Sequence, residues 1–599
     1  MTIAIPYPPI GKLGLVSDRR TAALIAADGS VAWWCLPNLD GAPALAALVD
    51  ATVGGFFRVG PDRLDFGQQS YELDTFGLTT RWQSATGTLE VTDVMAMPGD
   101  DRAPADVDAR ILIRRVKASG SPQRFRADLH GSGFTIESVG SSILVGVPGN
   151  QLRLWTDRPV VSTGEGAHVA GTIEDGEEAW LALASDDHDR PWSSASLAAL
   201  FQAALDYWRG YAGSLSHADL EPVRRAALVT HALTFAETGA VAAAATIGLP
   251  ERIGGSRNYD YRFCWVRDSS LAMAFLARCG KIAETRRYLE WLSTRQSAGP
   301  MPLQVAYRLD GGTKMSPAKT LDLNGYRSSR PVQVGNPVDG LYEIDTFGYL
   351  ADCGLILLEE GGEIDEGSWQ MFLRLADFTA DHWPNKGASI WEITPPHQFV
   401  AGKVMSWVTL DRTIRMAERL GRPVPDSWAS TRDAVHADVC HRGVNPVSNA
   451  FRQHYETDDV DASLLLIATM GFLPADDARV VATIALIERE LCINGHVQRF
   501  VASHLKDQGD QPLGEEEGSF LLCTCWLAHV KAMQGEIAVA RQILDRVRIA
   551  AGETGLLPEG IDARSGDLLG NTPLVFTHIE YARAARFIAE AEKSLSAAS

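Results

Sequence analysis

Over roughly the first 200 residues, apolar positions alternate with polar ones or fall in short runs broken by turn residues. Beyond that point they recur every three or four positions. The first rhythm is that of strands and the second that of helices. Thr21–Ala27 and Val31–Leu36 flank Asp28-Gly29, a dipeptide suited to a tight hairpin turn. Gln151–Thr156 alternates, Arg110–Arg114 is an apolar run, and Gly131–Gly133, Gly140–Ser142 and Pro148–Asn150 supply turns. These features predict an antiparallel β-sandwich over 1–195. Ala195–Tyr211 reads as a helix within a helical linker, 196–221. Over 222–599, helical windows start near 222, 268, 281, 345, 366, 402, 426, 459, 476, 516, 535 and 574. Ala478–Glu490 is typical, with Val480, Val481, Ile484 and Ile487 three or four apart. Long loops at 297–344, 384–401 and 493–515 interrupt the helices, and loops of that length inside a compact domain are usually functional.

With 599 residues the chain exceeds the usual size of one core, so two domains are expected. A hydrophobic content of 46% and a net charge of −20 describe an acidic globular protein. The charge argues against a nucleic acid or an anionic membrane as partner and is compatible with a neutral substrate. No apolar run reaches the length of a membrane span. The N-terminal segment lacks the basic and apolar regions of a signal peptide, and the eight cysteines show no framework spacing. Cys523-Thr-Cys525 lies in an apolar helical run and reads as buried thiol. These features lead us to expect a cytoplasmic protein. The oligomeric state is left open.

The densest chemistry lies in Asn258–Ser270, which sets Tyr261, Trp265, Arg267 and Asp268 ahead of the apolar helical run Leu271–Leu276. An Arg–Asp pair beside aromatic rings suits a sugar: the charges hold hydroxyls and the rings cover the C–H face. The plainer alternative is an ion pair at a helix start, with Asp268 as N-cap. Two isolated glutamates stand out further on. Glu392 follows Trp391 between Ile390 and Ile393, an apolar setting that would raise its pKa. Glu559 lies in the turn Leu556–Gly560. Taken alone, each could be a surface glutamate. Glu515–Glu517 and Asp458–Asp461 read as helix starts, where negative charge is favoured. No HExxH, EF-hand, Walker or GxGxxG pattern occurs, so neither metal nor cofactor is expected.

These motifs resemble those of glycoside hydrolase family 15, the glucoamylase and bacterial acid-trehalase family. The likeness extends through Ile10–Pro37, Tyr326–Asn336, Lys403–Arg412 and Leu568–His578, in family order. It implies an (α/α)6-barrel catalytic domain over 222–599, for which twelve helices are the right number. It also implies an inverting exo-acting α-glucoside hydrolase, with Glu392 as general acid and Glu559 as general base. In such enzymes the two carboxyls stand about 6.5–9.5 Å apart, leaving space for the attacking water. By the same resemblance Arg267 and Asp268 would hold the hydroxyls of the cleaved glucose, Tyr261 and Trp265 would wall the pocket, and Trp391 would stack near the leaving sugar. Lys403, His397, His578 and Glu517 are weaker candidates for the pocket. Two departures bear on specificity. Ile393 stands where glucoamylases commonly carry a second carboxylate, and Pro337–Tyr349 replaces a glutamine-rich run. Both put starch-type specificity in doubt, and a cytoplasmic enzyme is better matched to a small intracellular sugar, which favours α,α-trehalose, with maltose or short maltodextrins as the alternative. Disaccharide phosphorylases and non-catalytic regulatory proteins share the architecture, but the retention of both glutamates argues against them.

Overall fold

A computed structural model describes residues 7–97, 109–139, 142–164, 166–185, 192–295, 297, 299, 301–315, 317–338, 340–501 and 517–598. The N-terminal part is built from two eight-stranded antiparallel sheets. One runs in the order Leu13–Ser17, Ala22–Ala26, Ser30–Leu36, Phe56–Pro61, Gln123–His130, Gly166–Ile173 and Val160–Thr163, with Ala42–Leu45 paired to Ser30–Leu36. The other runs Thr135–Val139, Ser142–Val147, Asn150–Thr156, Glu178–Ser185, Ile111–Gly120, Gly87–Met95, Leu78–Gln83 and Gln68–Tyr71. Val31, Trp34 and Phe57 of the first sheet share one core with Val91, Leu112 and Leu181 of the second. The expected hairpin forms at Asp28-Gly29. Gly29 takes φ +83°, and a Cβ there would lie 2.0 Å from the Val59 carbonyl oxygen, so only glycine fits. Arg114, in the strand Ile111–Gly120, is fully buried and paired with Asp93 at 2.7 Å.

The rest is helical. α1 (Ser194–Gly213) connects the sheets to α2 (Glu221–Leu233), α3 (Val266–Arg278), α4 (Ile282–Ser293), α5 (Thr346–Glu359) and α6 (Glu366–His382). There follow α7 (Val400–Leu420), α8 (Asp426–Arg442), the short α9 (Leu466–Thr469), α10 (Ala478–Glu490), α11 (Leu521–Met533), α12 (Ile537–Ala550) and α13 (Val575–Ala598). α3, α5, α7, α9, α11 and α13 each pack on the next, and α13 returns to α3. α4 packs on α3, α6 and α8 on α7, α12 on α11 and α13, and α2 on α13. The α10 pattern holds at Val480, Ile484 and Ile487, all buried, but Val481 is 45% exposed, one step off the packed stripe. Asp461, foreseen as part of a helix start, caps the 3₁₀ turn Ala462–Leu465 through Ser463 N–H at 3.0 Å. Of the eight free thiols, Cys440 and Cys492 are only partly buried. Among the described residues, no helix is long and apolar enough to cross a membrane.

The sheets contact the helical part at points that fix its loops. Trp33 Nε1 donates to Ala245 O at 2.8 Å. Arg262 is fully buried, paired with Asp260 at 2.8 Å, and donates to Gly41 O at 2.5 Å. Asp260 in turn accepts from Gly335 N–H at 3.0 Å, and its carbonyl accepts from Asn336 Nδ2 at 3.2 Å. The residue before Tyr261 is thereby tied to the Gly335-Asn336 turn, and the residue after it to the β-domain.

Candidate active site

The segments that precede α3, α5, α7, α11 and α13 converge on one cavity of about 250 Å³. It therefore lies at the N-terminal ends of those helices, where backbone N–H groups favour negative charge. Tyr261, Trp265, Arg267, Asp268, Trp391, Glu392 and Glu559 all line it, so seven of the residues singled out from sequence meet in one place.

Glu392 sits at the tip of a loop held by Glu392 N–H to Ser389 O at 3.0 Å and Ile393 N–H to Ala388 O at 2.9 Å. Ser389 and Glu392 take φ of +59° and +56°. Left-handed backbone at a non-glycine residue is costly and collects at functional sites. Trp265 Nε1 donates to Glu392 Oε1 at 3.1 Å, and Arg267 Nη2 lies 3.8 Å from the same oxygen. Burial raises the pKa of Glu392, with Arg267 opposing it. Trp391 stays in place through Nε1 to Asp461 Oδ2 at 3.1 Å.

Glu559 is 3% exposed, and its Oε1 accepts from the Tyr261 hydroxyl at 2.6 Å. Its backbone N–H donates to Asn571 O at 3.2 Å, and its carbonyl accepts from Leu521 N–H at 3.0 Å. Gly570 passes so close that a Cβ there would lie 2.4 Å from Glu559 Oε2. Burial, and then the charge of Glu251, push the Glu559 carboxyl up to about 8.

Arg267 and Asp268 do not splay apart in a loop. Both belong to the first turn of α3, where Trp265 is the N-cap, and Asp268 therefore does not take the N-cap position set out above. Arg267 Nε donates to Asp268 Oδ2 at 3.2 Å, and Nη1 donates to Glu343 Oε2 at 2.9 Å. One guanidinium thus faces Asp268, Glu343 and Glu392. Glu343 is fully buried and lies within the Pro337–Tyr349 departure.

Four further residues complete the electrostatics, and sequence reasoning missed them. Glu251, Arg257 and Arg499 also line the cavity. Arg499 donates to both oxygens of Glu517, at 2.8 and 2.6 Å, and to Glu251 at 3.1 Å, with its guanidinium 4.1 Å from the centre of the Phe520 ring. Arg257 pairs with the same two glutamates. The fourth is Glu343, behind Arg267. The one signal in the sequence is a charge set among apolar neighbours, as at Leu249-Pro-Glu251 and Arg499-Phe-Val501.

The weaker candidates lie outside the cavity wall. Lys403 is on α7, and its ammonium donates to Trp383 O and to Asn385 O (2.6 Å) just past α6, a cation at a helix C-terminus. His578 is buried, and its Nε2 accepts from Leu557 N–H at 2.9 Å, which steadies the turn carrying Glu559. His397 stacks on His454. Glu517 reaches the cavity only through Arg499 and Arg257; Glu515 and Glu516 fall outside the described residues.

A family model described as Trehalase-like, N-terminal matches residues 5–121, and one described as Glycosyl hydrolases family 15 matches residues 223–586. A protein named Trehalase from Mycobacterium tuberculosis is 32% identical, over 98% of this chain and 91% of its own length. One from Mycolicibacterium smegmatis is 32% identical over 99% and 93%. A third, from Thermoplasma volcanium, is 31% identical over 98% and 94%. The cavity with its two isolated glutamates lies inside the matched helical region, and the chain belongs to glycosyl hydrolases family 15.

Proposed function

We propose that the protein is an inverting α,α-trehalase that converts trehalose and water to two molecules of glucose. In this reading the helices over 222–599 form an (α/α)6 barrel, 1–195 is a β-sandwich, and 196–221 links them. The observation that carries the proposal is that Glu392 and Glu559 face one buried cavity. The whole-length likeness to proteins named Trehalase supports the choice of sugar.

Glu392 acts as general acid. Burial holds it toward the protonated form it must have to protonate the departing oxygen. Glu559 acts as general base on a water beneath the anomeric carbon. Burial opposes its ionisation, while the Tyr261 hydroxyl and Arg499 favour it. Arg267 and Asp268 hold the hydroxyls of the glucosyl unit, Tyr261 and Trp265 wall it, and Trp391 flanks the leaving glucose. Ile393, in place of a second carboxylate, suits a disaccharide better than a chain end. A panel of trehalose, maltose, isomaltose and soluble starch tests the reading. The proposal requires the highest kcat/KM on trehalose. A preference for maltose or starch moves the protein to the glucoamylase side of the family.

A further inference from the structure

Among the described residues, one group of three potential metal-ligating side chains lies apart from the cavity: His397, His454 and Glu456. Their ligand atoms all fall within 4.8 Å of one another. Glu456 Oε2 is 3.1 Å from His454 Nδ1 and 4.0 Å from His397 Nδ1. Two ligands held 2.0–2.1 Å from a tetrahedral ion stand roughly 3.4 Å apart, so these separations bracket what one ion needs. We infer that His397, His454 and Glu456 form a binding site for a divalent transition-metal ion at the base of the loop that carries Glu392.

A second observation supports this. His397 Nδ1 is buried and has no hydrogen-bond partner, although leaving a buried polar atom unsatisfied is costly. A cation between the imidazoles and the carboxylate would satisfy it. Burial lowers the pKa of both histidines. The other charges that act on the group are Lys386, Lys403 and Asp459. Lys386 Nζ lies 3.3 Å from Glu456 Oε1, and Oε2 is the oxygen hydrogen-bonded to His454 Nδ1 at 3.1 Å, so it faces the imidazoles. Asp459 adds negative potential at His454. Two imidazoles and one carboxylate suit zinc, copper or nickel better than magnesium or calcium. His454 and Glu456 share one short segment, and His397 comes from the loop that carries Glu392, 57 positions earlier.

The placement gives the ion a structural consequence. Gly387 and His397 exchange backbone hydrogen bonds of 3.0 Å at the base of the loop whose tip holds Trp391 and Glu392. Phe399 forms a backbone bridge with His454. An ion on His397, His454 and Glu456 would fasten that base to the neighbouring segment. Binding itself does not depend on the role proposed for Glu392, so the test separates the two readings. Full-length protein stripped with a chelator is titrated with Zn²⁺ by calorimetry, and Co²⁺ is followed by its visible absorption. The parent should bind one Zn²⁺ per chain, with a Co²⁺ spectrum of low coordination number. His397→Ala and Glu456→Gln, both at partly exposed positions, should each weaken binding at least tenfold while far-UV circular dichroism stays unchanged. Absence of Zn²⁺ binding by the parent, or equal binding by both variants, overturns the inference.

Discussion

Glu559→Gln should make the protein more stable at alkaline pH while removing its activity. Glu559 is 3% exposed, and burial together with Glu251 carries its pKa from 4.5 to about 8. A carboxyl with a raised folded-state pKa binds its proton more tightly in the folded chain. Stability is therefore fully present below about 4.5 and is lost progressively as pH climbs towards about 8. At ~1.4 kcal/mol per tenfold change in proton affinity, that interval sets a ceiling of roughly 5 kcal/mol. Arg499 and Glu251 readjust when the charge disappears, so about 2–3 kcal/mol is expected. Glutamine keeps an oxygen for the Tyr261 hydroxyl and cannot ionise. The assay is differential scanning calorimetry of parent and variant from pH 4.5 to 8.5. The difference in Tm should be near zero at the acidic end and grow in favour of the variant towards pH 8. A variant less stable than the parent at pH 8, or a difference independent of pH, would refute the reasoning.

Two further outcomes follow from the same geometry. Glu392→Gln should lower kcat by about 10²–10⁴ or more without unfolding the protein, and near-parental turnover would remove Glu392 from the acid role. Asp268→Asn should cost about tenfold or more in kcat/KM, the equivalent of ~1.4 kcal/mol, with the loss visible in kcat as well as KM; a loss of Tm with unchanged kinetics would make Asp268 only the ion-pair partner of Arg267.

Much of this site was legible because its chemistry sits in short local motifs. Tyr261, Trp265, Arg267 and Asp268 occupy one helix approach and stand out within a few residues, whereas Glu392 and Glu559 occupy turns that alone read as surface and were picked out by the family resemblance. Arg499, Glu251, Arg257 and Glu343 were not legible. Their role comes from ion pairs between residues distant in sequence, as between Arg499 and Glu251 at 3.1 Å, and such pairs leave no periodicity. Lys403 was misleading for a related reason. The block that carries it is helical, and a lysine in the first turn of α7 can reach the carbonyls after α6 instead of the cavity. Most helix starts were read within two residues because apolar spacing is set by packing, as at Ala478–Glu490, but the windows expected near 459 and 516 open at Leu466 and Leu521, behind polar acidic segments that carry no apolar spacing. The position of Asp268 was misread because the cap is fixed by backbone geometry at Trp265, where no side chain advertises it.

The central claim is a single displacement on trehalose by Glu392 and Glu559. Proton NMR of the first minutes of hydrolysis by the parent enzyme tests it most directly. Inversion at one glucosyl unit predicts equal amounts of α- and β-glucose before mutarotation, with no requirement for phosphate. Early release of α-glucose alone would mean a covalent intermediate and a closer carboxylate pair, about 5–5.5 Å apart, and would contradict the account.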